Sequence, residues 1–361
     1  MATNWRIPLT KANTTKADIG AEALAFRSGV RFGGPRQAEF EQLVAAYVGA
    51  KHAIAVSNAP GPVYIALQAA DVGYGDEVIL SAFDTYDSAC AIELAHARCI
   101  FVDIDPISLN FDSRKIGSNA TERTKIVLAV HSLGMSVEAA WVCEQAETYG
   151  LTVIEDAGGA LGANVAGKRV GAGHLGRAAC FRFGKEQAIS INGGVITTSD
   201  DEFARRCREV IRKGAGEPLD EVSAATATGQ LATLDETLAR RQRIADHYRG
   251  RLRALKDFLI LPTEIAGYKR AWSRFALIAR EHADPQHFID VLEDRGVQCG
   301  RPEGGATYLN EPFASKYGLT YGHCPIAEGV ANKLFFVPFF TTMTQQEVDF
   351  TCDLIDEAAR S

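Results

Sequence analysis

The sequence predicts an α/β protein. A large domain over residues 1–240 carries a mainly parallel seven-stranded sheet, and a smaller α+β domain covers residues 241–361. Three observations lead there. Short apolar strands alternate with amphipathic helical stretches through the first two-thirds of the chain, the pattern of stacked β-α units. The strands are nearly continuous runs of apolar, often β-branched residues, which suits a sheet covered on both faces. After Asp200 the pattern shifts to longer charged helices with few strands, and 361 residues exceed what one small core needs.

In chain order, the expected strands of the large sheet are Ala53–Val56, Glu77–Leu80, Arg98–Val102, Lys125–Val130, Thr152–Glu155, Ala179–Phe183 and Gly194–Thr198. Helical spacing of apolar residues fills the gaps at Val63–Ala70, Ala89–Ala97 and Val137–Tyr149. Beyond Asp200 the spacing predicts a charged helix over Phe203–Lys213 and one long helix over Gln230–Arg253. Strands at Ala276–Ala279 and Lys333–Val337 and helices at Pro285–Arg295 and Thr344–Ala359 complete the smaller unit.

Composition narrows the function. Hydrophobic residues make up 47% and charged residues 23%, an ordinary globular balance. A net charge of −7 gives no electrostatic case for nucleic acid, and Arg240-Arg241-Gln242-Arg243 reads as a solvated helix face. No apolar run is long enough for a membrane span, and the first residues lack signal-peptide character, so a cytoplasmic location is expected. Eight scattered cysteines form no CxxC pair, which speaks for buried thiols and no metal site.

Several segments, taken in order, carry a resemblance. They include Phe32-Gly-Gly-Pro-Arg-Gln-Ala-Glu-Phe-Glu41, Asp76-Glu-Val-Ile-Leu-Ser-Ala-Phe83, Phe101-Val-Asp-Ile-Asp105 and Val153-Ile-Glu-Asp-Ala157. Ala179-Cys-Phe-Arg-Phe183, Gly193-Gly-Val-Ile-Thr-Thr198 and Phe336-Val-Pro-Phe-Phe340 follow. Their order and spacing resemble the DegT/StrS-type sugar aminotransferases, a branch of the fold-type-I pyridoxal phosphate (PLP) enzymes. The resemblance implies a homodimer with sites at the subunit boundary and a sugar-like or other biosynthetic small molecule as substrate. It also implies a lysine that binds the cofactor aldehyde and an aspartate facing the pyridine nitrogen.

Set against that pattern, Asp156 matches the aspartate, and His131 matches a histidine common in the family. The phosphate cradle corresponds to Ser57-Asn58-Ala59-Pro60, where Pro60 stands for a threonine and offers no backbone N–H. A second phosphate-binding serine corresponds to Arg182, the ring-stacking aromatic to Thr85, and a polar cofactor contact to Gly159. Tyr86 should point away from the site if its segment is extended. The lysine position falls on Gln187, whose amide forms no Schiff base, with Lys185 two residues earlier in the same loop. Asp84, Asp87 and Glu186 read as solvated acids, with acid–base chemistry near the site as the alternative.

These departures together predict a family member that has lost its cofactor and been repurposed, as a PLP-independent enzyme or as a partner subunit. The alternative is a working PLP aminotransferase of a keto-sugar or keto-cyclitol that uses Lys185.

Overall fold

The computed structural model describes residues 5–57 and 61–361. Seven strands form the large sheet: β1 (His52–Val56), β2 (Glu77–Ser81), β3 (Arg98–Val102), β4 (Thr124–Val130), β5 (Thr152–Asp156), β6 (Ala178–Phe183) and β7 (Gly193–Thr198). Their order is β1-β7-β6-β5-β4-β2-β3, and all neighbours run parallel except that β7 lies antiparallel to both β1 and β6. Each expected strand is present within a residue at either end.

Side chains alternate across this sheet, as a strand period of two requires. Val78, Leu80, Ile126, Leu128 and Ile154 enter one apolar core, while Ile79, Val127, Ala129 and Val153 enter another on the opposite face. Both faces are therefore dry, which is why the strands carry apolar residues at nearly every position.

Two helices that the apolar spacing did not signal precede the sheet. The first, Lys16–Arg27, opens with a capping box between Thr15 and Asp18. The second, Pro35–Val48, has Pro35 in its first turn, and buried Glu221 accepts from the Arg36 and Gln37 amides there. The long helix expected over Gln230–Arg253 runs over Leu234–Leu252, and the first residues of the expected range close a preceding helix, Glu221–Ala232. Thr233 leaves helical geometry between them, its hydroxyl turned back onto the Gln230 carbonyl.

The C-terminal part builds a second core. Leu259–Ile260, Phe275–Ala279 and Leu334–Val337 form an antiparallel sheet against the helices Pro285–Asp294 and Gln345–Arg360. Trp272, Phe275 and Phe339 stack there with Tyr248 of the helix Leu234–Leu252. The arginine cluster at 240–243 is no solvated face throughout: Arg241 is 1% exposed. Its guanidinium donates to the carbonyls of Glu186, Gln187 and Trp272 and to the Thr341 hydroxyl. That network keeps a charge tolerable in a dry place, although burial still lowers the Arg241 pKa to about 10.

Candidate active site

The carboxyl ends of β4, β5 and β6 meet the C-terminal unit around a cavity of about 210 Å³. In parallel sheets this end of the strands is where loops can gather ligand-binding groups. Asp156, the last residue of β5, lies in its wall, 1% exposed. One carboxylate oxygen accepts from Ser88 Oγ and the other from the Gly158 amide at 3.1 Å. The Arg182 guanidinium approaches within 3.7 Å, so Asp156 already has a cation beside it.

Arg182 projects from β6 over Gly158, where an added Cβ would lie 2.7 Å from the guanidinium. It also pairs with Asp87 at 2.5 Å, while its buried Nε has no partner. Burial works against its charge, yet Asp156, Asp87, Asp84 and Glu186 hold its pKa above the ordinary arginine value.

The turn after β2 decides which side chains reach the cavity. Asp84 adopts φ +54° and its amide donates to the Gly305 carbonyl, so the segment is not extended before the helix Tyr86–Leu94 begins. Aspartate tolerates this left-handed geometry better than most residues. Asp84, Tyr86 and Asp87 consequently line the cavity. Thr85 does not: its hydroxyl is buried, donating to the Ser81 carbonyl at 2.7 Å and meeting the Thr307 hydroxyl. Both expectations from extended geometry are thus reversed, because Tyr86 faces the site and Thr85 faces the core.

Asp84, Asp87 and Glu186 are not scattered solvated acids. They surround one cavity with Asp156 and, at the rim, Glu303, against the cations Arg182 and Arg274. Burial pushes the Asp84 carboxyl up to about 6; Arg274 and Arg182 oppose this, and Glu186 and Asp87 add to it.

The loop from Gly184 to Gln187 closes the floor. Gln187 lines the cavity, and its side-chain amide makes no hydrogen bond among the described residues. Lys185 does not line it. It is exposed and borders a neighbouring cavity of about 270 Å³. The two cavities share Glu186, Arg274 and Glu303 as walls, and Glu186 and Arg274 form a bidentate pair at 2.8 and 3.1 Å. That pair stands between the lysine and Asp156.

Other expected site residues are held elsewhere. His131 lies in the wall, but its Nδ1 accepts from the Val137 amide, which leaves Nε2 to donate to Glu155 at 3.1 Å. With both nitrogens engaged it orders the wall and offers a ligand no free ring nitrogen. Ser57 donates its hydroxyl to the Pro218 carbonyl and does not line the cavity. Gly159 does line it, and a Cβ there would come within 2.9 Å of Ser273 Oγ. Asn58, Ala59 and Pro60 lie outside the described residues.

Sequence reasoning missed Arg274, Ser273 and Glu303, which the C-terminal unit brings to the cavity. No local motif marks them. Among the described residues no cluster of His, Cys, Asp and Glu could hold a metal ion, and no helix is long and apolar enough to cross a membrane.

Against this geometry, the sequence profile of the DegT/DnrJ/EryC1/StrS aminotransferase family matches residues 14–356. A pleiotropic regulatory protein of Geobacillus stearothermophilus is 34% identical, with 89% of each chain covered. A dTDP-3-amino-3,6-dideoxy-alpha-D-galactopyranose transaminase of Aneurinibacillus thermoaerophilus is 31% identical, with 88% of each chain covered. The solved structure of S. venezuelae DesV in complex with a ketimine intermediate superposes with a TM-score of 0.89 at 26% identity, covering 95% of this chain and 94% of DesV. These matches overturn the expectation that the chain holds no cofactor. Aminotransferase kinship extends over nearly the whole chain, and departures at single positions do not outweigh it.

Proposed function

The chain belongs to the DegT/DnrJ/EryC1/StrS aminotransferase family, and from that membership and the cavity beside Asp156 we propose a pyridoxal phosphate-dependent aminotransferase of a sugar or sugar-like biosynthetic intermediate. Lys185 is the proposed amine, being the lysine of the loop that floors the cavity. When bound, the cofactor supplies an electron sink for moving an amino group.

The single observation that supports the reading best is Asp156: a buried carboxylate at the end of β5, facing the cavity, suits a protonated pyridine nitrogen. The aldehyde end fits less well. Gln187 faces the cavity in place of an amine, and Lys185 borders the neighbouring cavity behind the Arg274–Glu186 pair. What this chain's own residues provide is a polar cleft whose back wall is ordered by His131 and whose floor is held by Arg241.

Around this site we also propose a homodimer, a division into units 1–240 and 241–361, and a cytoplasmic location. Ile19, Leu24, Phe26, Val30 and Phe32 expose apolar surface near the N-terminus, the kind of patch a second copy would cover. An apolar cluster of residues between Ile244 and Ala358, joined by Ile7 from the N-terminus, supports the smaller unit.

The test is to incubate the purified protein with pyridoxal phosphate, reduce with borohydride and map peptides. A pyridoxyl adduct on Lys185, absent in Lys185→Ala, is the expected result. Protein that stays colourless and unmodified at excess cofactor would overturn the reading.

A further inference from the structure

Asp156 does not face the cavity alone. The Arg182 guanidinium lies 3.7 Å from one of its oxygens, which also accepts from Ser88 Oγ, while the other oxygen accepts from the Gly158 amide. Among the described residues, Arg182 is the one basic side chain paired with Asp156. The carboxylate is thus shared before any ligand arrives, and a ring nitrogen that pairs with it gains a guanidinium as neighbour.

Two neighbours fix the guanidinium there. Gly158 has no left-handed backbone, so its missing side chain serves to make room: a Cβ would lie 2.7 Å from both Nε and one terminal nitrogen of Arg182. Asp87 then holds the other terminal nitrogen at 2.5 Å from the solvent side, its side chain 59% exposed against 24% for Arg182. The other charged groups around the space are the acids Asp84, Glu186 and Glu303 and the cation Arg274, which is paired with Glu186. Glu155, next to Asp156 on β5, accepts from His131 Nε2, and burial keeps the Cys180 thiol on β6 uncharged.

We propose that Arg182 is a positioning residue that acts through Asp156: it takes up part of the carboxylate's charge and so lowers the proton affinity of a cofactor ring nitrogen bound there. This rests on the reading of Asp156 as the partner of that nitrogen and adds how firmly the proton is held. A charge within about 4–6 Å moves a pKa by about 1–3 units, and Asp87 cancels part of the effect, so a shift of about one unit is expected. A ring that holds its proton less firmly drains electrons less well, and Arg182 thereby moderates the electron sink.

The test uses 4-deoxypyridoxine 5′-phosphate, which keeps the ring and the phosphate but has no aldehyde to react with a lysine. It is bound to the purified protein, and the pH midpoint for loss of the ring N–H is read from the ultraviolet spectrum. Arg182→Gln should raise that midpoint by about one unit, and Arg182→Lys, which keeps the charge, should leave it near the parent value. Asp87→Asn, at an exposed carboxyl where folding is not at stake, should shift it the opposite way, downward and by less. A structural disturbance alone would not give shifts of opposite sign. An unchanged midpoint in Arg182→Gln, or shifts of the same sign in Arg182→Gln and Asp87→Asn, overturns the proposal. Failure of the probe to bind the parent chain overturns it as well. Neither result touches the aminotransferase reading, which the pyridoxyl adduct on Lys185 decides separately.

Discussion

Two loops wall the cavity and are built on opposite plans. The segment from His131 to Val137 has nearly all its polar groups consumed internally: His131 is bonded at both nitrogens, and Asn110 holds the Ser132 amide and the Met135 and Ser136 carbonyls. The segment from Arg182 to Gln187 is fixed through its backbone by Arg241, while Arg182 Nε and the side-chain amide of Gln187, both residues of the cavity wall, have no hydrogen-bond partner among the described residues. The difference separates scaffold from site. A buried polar residue with every partner present is explained by folding alone, and one with partners missing has capacity left for a water or a ligand.

Substitutions can break or sharpen that contrast. The largest effect is expected from Arg241→Ala, which strands the Glu186, Gln187 and Trp272 carbonyls and frees the second loop. A loss of about 4 kcal/mol in urea unfolding is expected, and a loss below about 1 would show that the clamp is dispensable. Gly134→Ala should cost about 3 kcal/mol, because φ is +77° and the new Cβ would sit 1.9 Å from the Ala271 carbonyl oxygen. Asn110→Ala, which unties the first loop, should cost about 2 kcal/mol by the same assay.

Asp84→Asn should act in the other direction. The folded carboxyl titrates near 6 and the unfolded one near 3.8, so the folded state holds the extra proton between those values and stability falls as pH rises through that window. At pH 7 the whole cost is present. Asparagine, which also accepts the left-handed backbone, should stabilise the protein by about 1–2 kcal/mol at pH 7, the figure being reduced for solvent screening, and by almost nothing at pH 3.5. A pH-independent gain would assign the effect to something other than Asp84 ionisation. The smallest effect is expected for Ser132→Ala, a gain of no more than about 1 kcal/mol, since no protein bond is lost and a buried hydroxyl without a partner is removed. A loss above about 1 kcal/mol would show that the hydroxyl already has a partner.

The sheet was legible in the sequence because each strand is buried on both faces, and a dry strand must be apolar at nearly every position. The break at Thr233 was not legible, since the apolar spacing continues across it and the interruption is a matter of one backbone turn. Asp156 was placed correctly at the end of β5 because the strand and its carboxyl end are both local features. Thr85 and Tyr86 were reversed because a single left-handed residue, Asp84, resets the direction of everything after it. Arg274 and Glu303 come from the other unit, and only tertiary packing brings them to the cavity. The cofactor expectation failed for a related reason: separate substitutions were summed as if independent, whereas kinship is carried by the whole chain.

Arg241 has one further consequence. It grows from the helix Leu234–Leu252, grips the cavity floor at 186 and 187, and touches Thr341 next to the C-terminal sheet. The guanidinium therefore works as a rivet through three plates. One side chain thus ties the backbone of the cavity floor to the helix and to the C-terminal sheet, so the carbonyls of 186 and 187 and the Thr341 hydroxyl share a single anchor.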